Sequence, residues 1–182
     1  MKAFPRALAV GIAAAAAALA PAAQAGPAEP DVPGAIQVPD GHKVFLVGHA
    51  VGVQIYSCNA TAGGYRWGLV APRANLYNDH GKLIATHFGG PTWRAKDGST
   101  VVAQRVGDGV IVDTTAIPWF LLKATSTAPG ADGDRLTSTA FIQRIATVGG
   151  VAPPAADCNA SRVGLQAESP YTADYYFWKE TG

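Results

Sequence analysis

The residues with chemical potential in this chain are few and widely spaced. His42, His49, His80 and His87, with Asp79 and Asp97, are the raw material for metal or acid–base chemistry. None of the histidines stands at H-x-H or H-x-x-x-H spacing, so a metal site would have to gather at least three ligands from separate strands. His87 is the one to follow, because it lies in a strand that ends beside Gly89-Gly90-Pro91-Thr92-Trp93, although a lone histidine of this kind is more often a hydrogen-bonded, half-buried imidazole than a ligand. Asp79 and Asp97 sit in Asn78-Asp79-His80-Gly81 and Lys96-Asp97-Gly98-Ser99, where a carboxylate commonly bonds to the backbone two residues on. Catalysis by either would require a second carboxylate or a base alongside. Ser99 is not in a G-x-S-x-G elbow, which leaves no nucleophile of the hydrolase type in view.

Aromatic residues offer more. Trp67, Trp93, Trp119 and Trp178 stand with Tyr56, Tyr77, Tyr171, Tyr175 and Tyr176 in a small chain. Trp67 and Trp119 fit a core. Trp93 follows Gly-Gly-Pro-Thr and precedes Arg94, at a strand end near solvent, and two readings stand: packing in the core, which the general behaviour of Trp favours, or an exposed ring that stacks on the apolar face of a sugar or fills a partner's pocket. Alternation across Tyr171 to Trp178 puts Tyr175 and Phe177 on one face and Asp174, Tyr176 and Trp178 on the other. Arg144, flanked by Ile142 and Ile145, is a natural partner for Asp174. The two form either an ion bridge between neighbouring strands or, with Tyr176, the polar floor of a cleft.

Cys58 and Cys158 are 100 positions apart, lack C-x-x-C spacing and have no adjacent histidine. They read as one structural disulfide. A loop of that length stabilises by about 4 to 5 kcal/mol in the chain-entropy model.

The elements that must position these residues are strands. Short runs rich in Val, Ile, Tyr, Trp and Phe alternate with Gly, Asp and Asn clusters, the pattern of an antiparallel β protein. Ten strands are predicted: 43–49, 51–58, 65–70, 74–77, 83–88, 100–106, 110–114, 120–127, 137–148 and 171–179. Strands this numerous must bury a face, so the expected architecture is all-β, a sandwich or partly closed barrel. Gly48 and Gly52 mark a bulge or bend. Val51, Val53 and Ile55 share one face and Tyr65, Trp67 and Leu69 another, and both faces are expected to be core. Residues 128–135 and 149–170 read as exposed loops, the second fastened by the disulfide.

The first 25 residues address the chain. Lys2 and Arg6 precede an apolar run from Ala7 to Ala20, and Ala23-Gln24-Ala25 is a small-x-small cleavage pattern. Residues 1–25 therefore read as a signal peptide, 26–41 as a Pro-rich, extended and poorly ordered leader, and 42–182 as one domain. The expected location is secreted or periplasmic, after cleavage near Ala25. No Cys at the cleavage point marks a lipid anchor, so no stable membrane attachment is expected. The segment left after cleavage carries 12 basic and 13 acidic residues, scattered singly. That is no footprint for nucleic acid.

Gly52-Val53-Gln54-Ile55-Tyr56-x-Cys58, Thr86-His87-Phe88-Gly89-Gly90-Pro91-Thr92-Trp93, Ile117-Pro118-Trp119-Phe120-Leu121-Leu122-Lys123, Ile142-Gln143-Arg144 and Tyr171-Thr172-Ala173-Asp174-Tyr175-Tyr176-Phe177 occur in this order. Together they resemble an exported family catalogued as domain of unknown function 3455, with bacterial and fungal members. The resemblance implies no activity. A malate dehydrogenase label carried by some fungal members finds no support, since no strand here leads into G-x-G-x-x-G and a helix.

The expectation is an exported, non-catalytic β protein that binds a glycan or another cell-envelope component, with Trp93, His87, Arg144, Asp174 and Tyr176 as ligand-contacting candidates. No catalytic residue, metal or cofactor is assigned. Two alternatives stand beside it: a hydrolase or metal-dependent enzyme drawing on His49, His87, Asp79 and Asp97, and a purely structural cell-surface protein.

Overall fold

Period-2 alternation runs through this chain in longer stretches than the sequence suggested. The computed structural model describes Met1 and residues 26–182, so the predicted signal peptide, Met1 apart, lies outside the described residues. Eight strands follow one another: β1 His42–Thr61, β2 Gly64–Tyr77, β3 Leu83–Phe88, β4 Thr92–Ala95, β5 Thr100–Val110, β6 Trp119–Ala128, β7 Phe141–Gly149 and β8 Gln166–Glu180. Each pairs antiparallel with the next, and β8 returns to β1, closing an up-and-down barrel. Closure removes both sheet edges, which an open sandwich would leave exposed.

The strand count differs from ten for local reasons. Runs 43–49 and 51–58 form one strand, as do 65–70 and 74–77. Gly48 and Gly52 do not bulge. The register of β1 shifts instead between Val44 and Leu46 against β8, and between Ile55 and Tyr56 against β2. At Gly52 a Cβ would collide with the Arg73 carbonyl and the Ala74 backbone, so this glycine serves the close approach of β2 where the barrel curls tightly. Segment 110–114 leaves the sheet after Val110, and Thr92–Ala95 is a short strand that the sequence reading missed.

The barrel interior is filled by Leu46, Ala50, Leu76, Val101, Leu122, Ile142 and Phe177, among others. Val51, Val53 and Ile55 lie on the outer face, with Val51 58 % exposed, while Ala50, Gln54 and Tyr56 point inward. The inward positions of this strand carry small and polar residues, so the more apolar parity was mistaken for core. Tyr65 and Leu69 are likewise exposed. They belong to the portion of β2 that runs with β1 beyond the end of β3; β8 flanks β1 opposite Leu69 and as far as Ser57, and past that point the two strands project as an arm.

A second, smaller core lies outside the barrel. Ile36, on a 3-10 turn at Gly34–Ile36, is wholly buried against Leu121 and Ile145, with Val32, Val38, Trp119 and Tyr176 around it. Gln143 clamps this strap: its Nε2 donates to the Ile36 carbonyl at 2.8 Å and its Oε1 accepts from Trp178 Nε1 at 2.9 Å. The Pro-rich leader is therefore extended but packed, not loose, because Ile36 and Val38 give it apolar anchors. Cys58 and Cys158 form the disulfide, joining the arm to the loop before β8. No described helix is long and apolar enough to cross a membrane.

Candidate functional site

The β3–β4 hairpin is short, whereas β2 and β5 on either side run further. Beyond the Gly90-Pro91 turn the wall of the barrel is therefore incomplete. A cavity of about 660 Å³ opens there, bounded by Leu69 to Pro72 of β2, Val102 to Arg105 of β5, Phe120 and Leu122 of β6, and, from the inner wall, Gln54, His87, Trp93, Arg144 and Tyr175. Its size and mostly apolar lining suit a small-molecule site.

Cross-strand register brings the polar residues together. His87 lies directly opposite Trp93, and Arg144 lies between Phe120 on one side and Tyr175 on the other. The imidazole of His87 stacks on the Trp93 indole, centroids 4.2 Å apart and planes 8° from parallel. Its Nδ1 donates to the Thr92 carbonyl at 3.0 Å; a carbonyl only accepts, so Nδ1 carries the proton and Nε2 presents a lone pair. Burial pushes the His87 pKa down to about 3, reinforced by the nearby Arg144 charge and only partly opposed by the Thr92 bond. His87 is a neutral base. Burial also raises the Tyr175 and Tyr171 phenols, which stay protonated and face each other with oxygens 3.3 Å apart.

Arg144 donates from both Nε and Nη2 to the Pro118 carbonyl, at 3.2 and 2.7 Å, and its guanidinium carbon lies 4.6 Å from the centre of the Phe120 ring. Arg105 lies 4.7 Å from the same ring centre, so one phenyl group holds two guanidinium groups by cation–π contact. Gln54 Nε2 and Trp93 Nε1 are buried and have no hydrogen-bond partner among the described residues.

Of the ligand-contacting candidates read from sequence, His87, Trp93 and Arg144 meet at this cavity, while Asp174 and Tyr176 do not. The last two lie on the outer face of β8, whose inner face carries Tyr171, Ala173, Tyr175 and Phe177. No Arg144–Asp174 bridge forms. Asp174 pairs in register with Ile145 and His49, and its carboxylate accepts from His49 Nδ1 at 2.7 Å. Trp93 is not an exposed platform: none of its surface reaches solvent, because β4 places its side chain inside the barrel behind His87. Gln54, Arg105, Phe120 and Tyr175 were not singled out as site residues. Gln54 carried no usable signal either, because the apolar alternation of Val51, Val53 and Ile55 assigns it to the outer face.

The raw material of a metal-dependent enzyme is dispersed. Among the described residues no three His, Cys, Asp or Glu side chains gather to hold a metal. His49 is bracketed outside the barrel by Asp174 and by Asp79, whose carboxylate lies 2.8 Å from Nε2. Its pKa is raised, first by the Asp79 hydrogen bond and then by Asp174. Asp97 organises a turn, accepting from the Ser99 backbone and hydroxyl and from Arg135 N. His42 bonds the Pro39 carbonyl and packs edge-on to Phe141.

Residues 39–179 match the family model described as protein of unknown function (DUF3455). No curated protein and no solved structure matches the chain.

Proposed function

We propose that this chain, which belongs to the DUF3455 family, is an exported, non-catalytic barrel that takes up a small, mostly apolar molecule through the window beside the β3–β4 hairpin. One observation carries the reading: the wall of a cavity of about 660 Å³ includes Gln54 and Trp93, whose buried donors lack any partner. Both donors lie just behind the cavity surface, and such a group costs about 1 to 3 kcal/mol, which a guest's acceptor would recover once the wall shifts to admit it. An address of the kind read in residues 1–25, together with the disulfide, supports a secreted or periplasmic setting and a cell-envelope or extracellular source for the ligand. The glycan form of this reading loses its main support with Trp93 buried, since stacking on a sugar requires an open ring face. A compact, hydrophobic guest is preferred.

The test is titration of the full chain, purified in its oxidised form, with the neutral fluorophore N-phenyl-1-naphthylamine. Saturable one-to-one enhancement is expected, and Pro72→Trp, which places an indole in the cavity from the inward position opposite Gln54, should abolish it. Non-saturable binding, or binding indifferent to Pro72→Trp, would overturn the proposal.

A further inference from the structure

The geometry points to an amphipathic organic anion as the guest of the barrel cavity, a single negatively charged head on an apolar body. This rests on the cavity being a binding site and adds the charge of what it binds. Three observations converge.

The cavity wall contains two guanidinium groups, Arg105 and Arg144, and no aspartate or glutamate. Neither arginine has a carboxylate within 4 Å among the described residues, where the ion pairs are those of His49 with Asp79 and Asp174 and of Arg73 with Glu168. Two cations over one phenyl ring repel each other. The ring quadrupole offsets this in part, and an anion bound beside either guanidinium group would lower the repulsion further.

The bonding of Arg144 is one-sided. Nε and Nη2 are turned to the Pro118 carbonyl, which fixes the guanidinium plane, and Tyr175 lies against it; Nη1 and the second Nη2 hydrogen remain as a two-donor edge for another acceptor. A carboxylate or sulfonate takes a fork of this kind with two oxygens. Every other polar group in reach is a donor or is neutral: the Gln54 and Trp93 N–H groups lack acceptors, the tyrosines keep their protons, and His87 carries no charge.

The remaining wall is apolar, with Val70, Pro72, Pro91, Val102 and Leu122 around the window. Leu69 and Val70 at the lip are 59 % and 53 % exposed. A hydrophobic body would cover them while its head reached the arginines.

The experiment compares two probes that differ only in the anion: 8-anilino-1-naphthalenesulfonate and N-phenyl-1-naphthylamine, the same ring system without the sulfonate. The sulfonate is expected to bind tighter by about tenfold or more, as one charge-assisted fork would give. Arg144→Gln should bring the ratio of the two affinities to about one, and Arg105→Gln should lower it by a smaller factor. Near-UV circular dichroism reports whether Arg144→Gln keeps the native packing. If it does not, Arg105→Gln, at the exposed mouth, decides. Equal affinities in the unmodified protein, or a ratio that neither variant moves, would overturn the anion while leaving the cavity as a binding site. Failure of both probes would instead remove the binding site itself.

Discussion

The imidazole of His87 and the indole of Trp93 lie nearly parallel with centroids 4.2 Å apart, one residue from β3 and its direct partner from β4. Tyr175 closes the group edge-on, 5.2 Å from His87 and 5.5 Å from Trp93. The stack exists because the neutral ring is held by Thr92 and is shielded from water. Adding a proton would place a charge where no carboxylate can compensate it.

That arrangement sets an acid limit on stability. His87 has a folded pKa of about 3 against an ordinary value of 6.5, so between these values the unfolded chain binds more protons. Stability is complete above pH 6.5 and falls as pH is lowered, by about 2 kcal/mol at pH 5. Urea midpoints at pH 7 and pH 5 should therefore separate more in the native sequence than in His87→Phe, which keeps a ring but no titrating group. Equal separations would show that His87 is not held neutral.

His49 works in the opposite direction. Both ring nitrogens face carboxylate oxygens, which only accept, so both contacts together require the imidazolium. Its pKa is raised, and the stabilisation it brings is present below pH 6.5 and lost as pH rises through the folded value. Solvent reaches 42 % of this side chain, which keeps the gain below about 1 kcal/mol. His49→Gln should cost more at pH 6 than at pH 9 in thermal melts. A cost that grows with pH would contradict the bracket.

The tight curl of the barrel places a steric demand on Gly52. An added Cβ meets backbone atoms of Arg73 and Ala74, which cannot move aside as a side-chain tip can. Gly52→Ala should lose about 3 kcal/mol, whereas Gly63→Ala on the open arm, with nothing within 4 Å, should change stability by no more than about 0.5 kcal/mol. Chemical denaturation of the pair provides the comparison.

The strap is held by one buried side chain and one amide. Ile36→Ala removes the apolar anchor at a cost of about 2 to 4 kcal/mol, and Gln143→Ala strands both the Ile36 carbonyl and Trp178 Nε1. Either variant should red-shift tryptophan emission as water reaches Trp119 and Trp178. An unshifted spectrum with unchanged stability would show that the strap contributes nothing to the outer core.

Much of the fold was legible because strand chemistry is local. β-branched and aromatic runs between Gly, Asp and Asn turns marked an antiparallel all-β chain, and two cysteines without metal spacing marked one disulfide. The alternation of Asp174, Tyr176 and Trp178 against Tyr175 and Phe177 was also correct. What alternation could not tell was which face was inner. In β6 to β8 both faces are covered, one by the barrel core and the other by the strap, so Leu121 and Leu122, or Tyr176 and Phe177, look equally buried in sequence.

The candidate site depended on that missing choice. Side chains on neighbouring strands share a face only when their register agrees, and a slip of one position sends a residue to the opposite side. Arg144 pairs with Tyr175 and Ile145 with Asp174; this one-residue offset put the guanidinium inside the barrel and the carboxylate outside it. The sequence determined strands, turns and the disulfide through neighbours a few positions apart. Only closure of β8 onto β1, between residues more than 100 positions apart, decided that Gln54, His87, Trp93, Arg105 and Arg144 surround one cavity.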